Sequence, residues 1–170
     1  MTITRDHTAT IKAIRNCIGK TVSGVTRVQY YFNDQEDEDG LGDLEITFSD
    51  NFYLTLMGLG DAESIQADNN NAIIYETFNV TENDVASWKR LDLTSEQDWK
   101  KLIGQKLKTA EVEWNLHQDN DNRIVACILH FDSDFVTFYE TGSDANKFYV
   151  NETLSVVDRQ TKIEIIKNVC

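Results

Sequence analysis

The chain lacks proline, is poor in cysteine and contains no long apolar run. Without proline, no segment is excluded from the interior of a sheet on that ground. The three cysteines, Cys17, Cys127 and Cys170, are odd in number and have no paired spacing, which indicates reduced thiols rather than a disulfide framework. No segment approaches the roughly 20 apolar residues of a membrane-spanning helix. The first residues lack a basic stretch followed by an apolar one, so we expect no secretion signal and a cytoplasmic protein.

Basic residues are also scarce. Lys and Arg total 16 against 29 Asp and Glu, which gives a net charge of −13. Because proteins that bind nucleic acid need Lys and Arg to displace counterions, we expect no nucleic-acid partner and no anionic membrane surface. An acidic surface attracts a basic protein and speeds the encounter. Acidity that serves only solubility is the alternative interpretation.

One pattern occurs twice in the sequence. Ile18-Gly19 recurs as Ile103-Gly104, and the segment 48–52 recurs as 131–135, with an offset that falls from 85 to 83 residues along the chain. A repeat of this length is typical of a supersecondary unit.

Each copy predicts the same order of elements. A short amphipathic helix ends at Gly19 in the first copy and at Gly104 in the second. Alternating apolar residues then predict strands on either side of a polar hairpin loop. The predicted strands are 28–32, 44–48, 52–56 and 64–67, matched by 111–116, 125–131, 135–139 and 147–150; the loops are 33–40 and 117–122, and looser fifth strands are 73–78 and 154–157.

These elements predict an α+β fold in which two tandem helix-plus-antiparallel-β-meander repeats, related by a pseudo-twofold, pack sheet to sheet. The whole chain, 1–170, is expected to be a single domain, with repeats at about 6–78 and 94–157. The connector 79–93 is expected to pack against this body. The segment 162–166 is either a last strand or a short helix.

The outer faces of the two predicted sheets differ. In the returning strand of the first copy the outward positions are Asp43, Glu45 and Thr47, whereas the second copy has Ala126, Ile128 and His130, with Val136 and Phe138 expected on the same face. This apolar face requires a cover, which is either a helix or connector of the same chain or a partner surface.

Candidate contact residues lie in the two polar loops. The first loop carries Asp34, Glu36, Asp37, Glu38 and Asp39, and the second carries Asp119 and Asp121. A calcium-binding EF-hand does not fit the first loop: with Gly40 as its glycine, the position of the bidentate Glu is Ile46. The loops therefore either contact a basic partner or are simply solvated.

Trp88 lies beside Lys89 and Arg90 in the predicted connector. It either anchors this segment to the body or forms a contact point with a partner.

Motifs for catalysis, metal or nucleotide binding are missing. The sequence has no G-x-S-x-G, and Gly58-Leu59-Gly60 lacks the Lys and the helix start of a phosphate loop. His130 and Asp132 share a strand face but have no visible third ligand. We therefore expect a non-enzymatic protein without catalytic residues, metal or cofactor.

The segments Ile18-Gly19-Lys20, 28–32 and Ile46-Thr47-Phe48-Ser49-Asp50, with their second-copy counterparts, resemble small acidic immunity-type proteins of bacterial polymorphic toxin systems. The resemblance covers about half of each copy. It implies a protein that binds and neutralises a cognate toxin.

With the net charge, this resemblance leads to a functional hypothesis. The chain is expected to be an immunity protein that occludes the basic active-site cleft of a toxin domain. The alternatives are a homodimeric structural or adaptor protein, and a small-molecule-binding domain with a pocket between the sheets.

Overall fold

Strands dominate the structure, a computed structural model: 56% of the described residues are in strands and 10% are helical, with one α-helix among them. The prediction of an α+β fold built from two helix-plus-meander repeats is therefore wrong. The structure describes residues 7–59, 64–74, 76–116, 122–140, 146–153 and 161–167.

The described strands form two antiparallel sheets. Sheet 1 contains β1 (Val22–Phe32), β2 (Gln35–Phe48), β3 (Tyr53–Gly58), β4 (Ile65–Asp68), β5 (Phe78–Asn79) and β6 (Val85–Asp92). Sheet 2 contains β7 (Thr109–Asn115), β8 (Arg123–His130), β9 (Phe135–Glu140), β10 (Asn146–Val150) and β11 (Thr161–Ile166). The strand order is β4-β3-β2-β1-β6-β5 in sheet 1 and β10-β9-β8-β7-β11 in sheet 2.

Helical structure differs between the two halves of the chain. The α-helix α1 (His7–Arg15) packs on β4 and buries Ile14 completely. Where a second helix was predicted, the chain forms only a 3₁₀ helix, Trp99–Leu102. Trp99 and Leu102 are three residues apart, and a 3₁₀ helix places positions i and i+3 above one another. One short turn therefore buries both side chains, and a longer helix would bury no more of this pair.

Segment 79–93, expected to be a connector, supplies all of β6. This strand pairs with β1 from Thr26 opposite Asp92 to Phe32 opposite Ala86. The segment left open as strand or helix, 162–166, lies in β11, which pairs with β7. The predicted strand 154–157 lies outside the described residues.

The chain segments that enter β1 and β7 bind each other. The Gly19 N–H donates to the Leu107 carbonyl at 2.7 Å, and the Gly104 N–H donates to the Val22 carbonyl at 2.9 Å. Gly104 and Leu107 each lie 85 residues after Gly19 and Val22, so the two bonds are reciprocal. Both glycines have positive φ angles, +89° and +85°, which residues with a Cβ rarely adopt. The two sheets are thus joined through their backbones.

Buried apolar side chains of both sheets form a core between them, where β10 packs over β2 and β8 packs near β4. Val136 and Phe138 belong to this core and are fully buried. They pair with Leu129 and Cys127, whose side chains point inward. The prediction that they lie on the outer face of sheet 2 is therefore wrong. Large side chains, Phe48 and Phe138 among them, occupy the space between the sheets.

Candidate protein-binding surface

The acidic segment of the first half follows a tight turn. β1 and β2 pair as far as Phe32 and Gln35, so that only Asn33 and Asp34 connect them. These residues have φ angles of +49° and +60°, as the favoured two-residue hairpin turns require, and Asn and Asp tolerate this conformation better than other side chains. The predicted loop 33–40 is therefore wrong: it is a two-residue turn followed by the first part of β2.

Asn33 holds this turn against the end of β6. Its N–H donates to the Val85 carbonyl at 2.8 Å, and its Oδ1 accepts from the Val85 N–H at 2.7 Å. Its Nδ2 donates to Asp84 at 2.9 Å. Hydrogen bonds from Asn33 and Thr81 lower the pKa of the Asp84 carboxyl. The hairpin tip and the start of β6 are thus one connected structure.

Two of the predicted contact carboxylates are bound by basic residues of neighbouring strands. Asp34 accepts from Lys89 Nζ at 3.1 Å, and Glu36 accepts from Arg27 at 2.8 Å. The Lys89 ammonium also lies 4.2 Å from the centre of the Tyr31 ring. Exposed ion pairs of this kind contribute little to stability. Their main effect here is to offset part of the negative charge at the tip.

The rest of the acidic segment lies in a β-bulge of β2. From the Tyr31–Glu36 pair to the Gln29–Leu41 pair, the register advances two residues on β1 and five on β2. The extra residues leave the ladder. Asp37 and Glu38 in this bulge are exposed, and the backbone of Asp39 also belongs to β2. The predicted contact residues of the second loop, Asp119 and Asp121, lie outside the described residues.

Aromatic side chains flank the hairpin on the outer face of sheet 1. Phe32, Ala86 and Phe78 form one row across β1, β6 and β5. Phe32 is 40% exposed and Phe78 51%, whereas Ala86 between them is fully buried. Sequence reasoning missed this row because Phe32 and Phe78 are far apart in the chain. The Phe-Asn-Val-Thr alternation that starts at Phe78 was the available signal of a short strand.

Trp88 continues the same face, two residues along β6 from Ala86. Its ring centre lies 5.1 Å from that of Tyr30. It also lies over Gly42, where an added Cβ would approach Trp88 to 2.9 Å. Gly42 therefore leaves the room that the indole needs, and Trp88 is packed against the sheet at the border of the exposed phenylalanines.

We name the exposed end of sheet 1 the hairpin-end surface. It combines exposed apolar side chains with acidic residues of the hairpin turn and of the first part of β2. The apolar members are exposed at 40% or more. The surface consists of Phe32, Phe78 and Val80 with the carboxylates of Asp34, Asp37 and Glu38.

A second segment crosses the outer face of sheet 1 away from the hairpin end. β4 and β5 lie at opposite edges of the sheet, and residues 69–74, which we call the strap, cross the face after β4. Thr55 Oγ1 donates to the Asn70 carbonyl at 2.6 Å, and the Ala72 N–H donates to Glu45 at 2.7 Å. Arg90 donates to both the Ala72 carbonyl and Glu45, at 3.1 and 2.5 Å.

Glu45 lies on the outer face of sheet 1, as predicted, but it is beneath this strap and only 2% exposed. An alternating pattern assigns Glu45 to a face, but it carries no information on whether another segment covers that face.

Asp43, predicted as an outward position of the same strand, is a carboxylate in an unfavourable environment. Burial and repulsion from Asp68 raise its pKa to about 6. Both effects disfavour the charged form.

The residues considered for metal binding and catalysis serve other contacts. His130 Nε2 lies 3.1 Å from Glu111, and Asp132 accepts from the Lys106 N–H at 2.7 Å. Burial raises the pKa of Cys17 and Cys127 to about 12, so neither supplies a thiolate nucleophile. Within the described part of the chain, no three His, Cys, Asp or Glu side chains are grouped as metal ligands.

Comparison with known proteins gave no match to a family model, to a curated protein or to a solved structure. No helix in the described ranges is long and apolar enough to cross a membrane.

Proposed function

We propose that this chain is a non-enzymatic, cytoplasmic binding protein that neutralises a bacterial toxin by covering a basic active-site cleft with the hairpin-end surface. The observation that carries the proposal is the pair of exposed phenylalanines, Phe32 and Phe78, on either side of Ala86. They lie at the end of sheet 1 whose hairpin also carries the exposed Asp37 and Glu38. An exposed apolar patch with a polar border is typical of protein-interaction sites.

The two parts of this surface have different roles in the proposed complex. Phe32 and Phe78 project on either side of the buried Ala86, and aromatic side chains at the centre of an interface commonly supply most of its affinity. The carboxylates attract a basic partner over a distance and mainly raise the association rate. The net charge of −13 adds to this attraction.

Neutralisation by covering a cleft requires no chemistry from the chain itself. A toxin that acts on nucleic acid or nucleotides uses a basic cleft to hold phosphates, and an acidic surface is complementary to such a cleft. The resemblance of the sequence to immunity-type proteins supports the same assignment.

The first experiment measures binding to the purified product of the neighbouring gene, because immunity proteins are encoded beside their toxins. We expect the association rate of the wild type to fall with added salt. Glu38→Lys should slow association several-fold at low salt and have little effect at high salt. Phe78→Ser should instead raise the dissociation rate by about tenfold.

Glu96→Lys is the matched control for Glu38→Lys. Glu96 is exposed and lies outside the hairpin-end surface, and the substitution changes the net charge by the same amount. Equal effects of the two charge reversals would mean that net charge alone acts. If Phe78→Ser also dissociates at the wild-type rate, the hairpin-end surface is not the binding site.

A further inference from the structure

The second edge of sheet 2 is the strand β11. It pairs with β7 on one side, and among the described strands none pairs with it on the other. Ile163 and Ile165 are 59% and 57% exposed on the outer face, where they lie opposite Glu113 and Glu111. An edge strand presents backbone N–H and C=O groups that can pair with another chain.

In sheet 1 the corresponding edge is covered by a further short strand. There, β6 occupies the position beside β1 that β11 occupies beside β7, and the short strand β5 pairs with its outer side. Asn79 pairs with Val85, and Phe78 pairs with Ala86. No described strand plays the part of β5 in sheet 2.

The charges of β11 match those of a second copy. In an antiparallel pair of two β11 strands centred on Ile163, Lys162 of each chain lies opposite Glu164 of the other. Opposite charges at facing positions stabilise a strand pair, and like charges destabilise it. Centring the pair on Glu164 would place two carboxylates opposite each other, and centring it on Lys162 would do the same with two ammonium groups. Of these three registers, the charge pattern favours the one centred on Ile163.

The structure also holds Glu164 in place. Its Oε2 accepts from Trp114 Nε1 at 3.0 Å, on the inner side of β7 and β11. Lys162 is opposite Trp114 in the register and is exposed. The two charged groups thus share one face, while Ile163 lies on the other.

We propose that β11 pairs with β11 of a second copy of this chain, antiparallel and centred on Ile163, so that sheet 2 continues across a symmetric dimer. A twofold contact of this kind uses the same surface on both subunits. The contact area of one strand pair is small, so the dimer dissociates on dilution. The hairpin-end surface belongs to sheet 1 and plays no part in this contact.

The test is sedimentation equilibrium of the full chain over a wide concentration range. We expect a reversible monomer–dimer equilibrium for the wild type. In Lys162→Glu both charged positions are acidic, and in Glu164→Lys both are basic. Each variant alone should therefore have its dimer dissociation constant raised by about tenfold or more.

Mixing the two variants is the decisive step. The mixed pair has two opposite-charge contacts, so an equimolar mixture should regain a dimer that neither variant forms alone. Lys100→Glu, which changes an exposed residue of the 3₁₀ helix, is the control for net charge and should sediment as the wild type does.

Three results would overturn the proposal. They are a wild type that stays monomeric at every concentration, single variants that dimerise as the wild type does, and a mixture that stays monomeric. Since Glu164→Lys also removes the bond to Trp114, Ile163→Lys provides a second disruption at an exposed position. It should give a folded monomer, verified by circular dichroism.

Discussion

On the outer face of each sheet, a buried threonine binds the segment that follows an edge strand. The residue paired with that threonine differs between the two sheets. In sheet 1, Thr55 donates to the Asn70 carbonyl at 2.6 Å. In sheet 2, Thr137 donates to the Glu152 carbonyl at 2.8 Å. Both threonines are buried, and each fastens the segment that follows the edge strand β4 or β10.

The residue paired with each threonine differs. Thr55 lies opposite Glu45, whereas Thr137 lies opposite Ile128. Glu45 requires a cation and a donor, which Arg90 of β6 and the Ala72 peptide supply. Ile128 requires only an apolar cover. Sheet 1 therefore depends on hydrogen bonds from Arg90 and the Ala72 peptide to Glu45. These bonds connect the strap to β6, whose other end borders the hairpin-end surface.

Replacing Arg90, the cation that pairs with Glu45 in sheet 1, should have the largest effect on stability. Arg90→Met leaves the Glu45 carboxylate buried without its cation, and such a loss costs about 3 kcal/mol. Chemical denaturation of the wild type and the variant measures the difference in the free energy of unfolding.

The double variant Glu45→Met with Arg90→Met is the control. It gives sheet 1 an apolar pair of the kind that sheet 2 has, so it should be more stable than Arg90→Met alone. A double variant that is as unstable as the sum of the two single variants would mean that Glu45 and Arg90 are not coupled.

Asp43→Asn should have the next largest effect, and its effect depends on pH. The pKa of Asp43 is about 6 in the folded protein and its ordinary value is 3.8, so the folded protein retains this proton more strongly. Its contribution to stability is therefore present at low pH and lost as the pH rises through about 6. The variant should be more stable than the wild type above pH 6, by on the order of 1 to 2 kcal/mol, with no gain near pH 4.

Asp50→Asn is a control for which the expected pH dependence of stability is reversed. A hydrogen bond from Lys20 lowers the pKa of Asp50, so its contribution is present at neutral pH and lost on acidification. Denaturation curves across this pH range compare the two. A gain for Asp43→Asn that is the same at pH 4 and pH 8 would contradict the argument from titration.

The two threonines should give the smallest effects. Thr55→Val and Thr137→Val each leave a carbonyl without its donor, which costs about 1 kcal/mol. Limited proteolysis should then cut the strap faster in Thr55→Val only, and the segment near Glu152 faster in Thr137→Val only. Equal cleavage of both segments in both variants would show that neither bond acts locally.

Local patterns predicted many of the strands, but neither helix ends at the predicted glycine: α1 ends at Arg15 and the 3₁₀ helix at Leu102. Alternation placed strands close to β7 and β9, and Gly19 and Gly104 adopt the positive φ angles that helix-terminating glycines commonly have. The fold class was wrong because helical spacing at Trp99 and Leu102 fits a 3₁₀ turn as well as an α-helix.

Two further errors have a tertiary cause. β6 was missed since Lys89 and Arg90 interrupt its apolar residues. Arg90 is present because Glu45, far away in sequence, requires a cation. The hairpin-end surface was predicted only in its acidic part, because the row of Phe32 and Phe78 exists only once β6 joins β1 to β5. Partners that are distant in the chain leave no periodic signal.

Hydrogen exchange of the chain, free and in complex with the product of the neighbouring gene, tests the central claim most directly, because it compares the two sheets in one experiment. If the hairpin end of sheet 1 is the binding surface, amides in 32–38 and 78–86 gain protection in the complex, while those in 123–130 and 146–150 exchange as in the free chain. Protection confined to the strands of sheet 2 would contradict it.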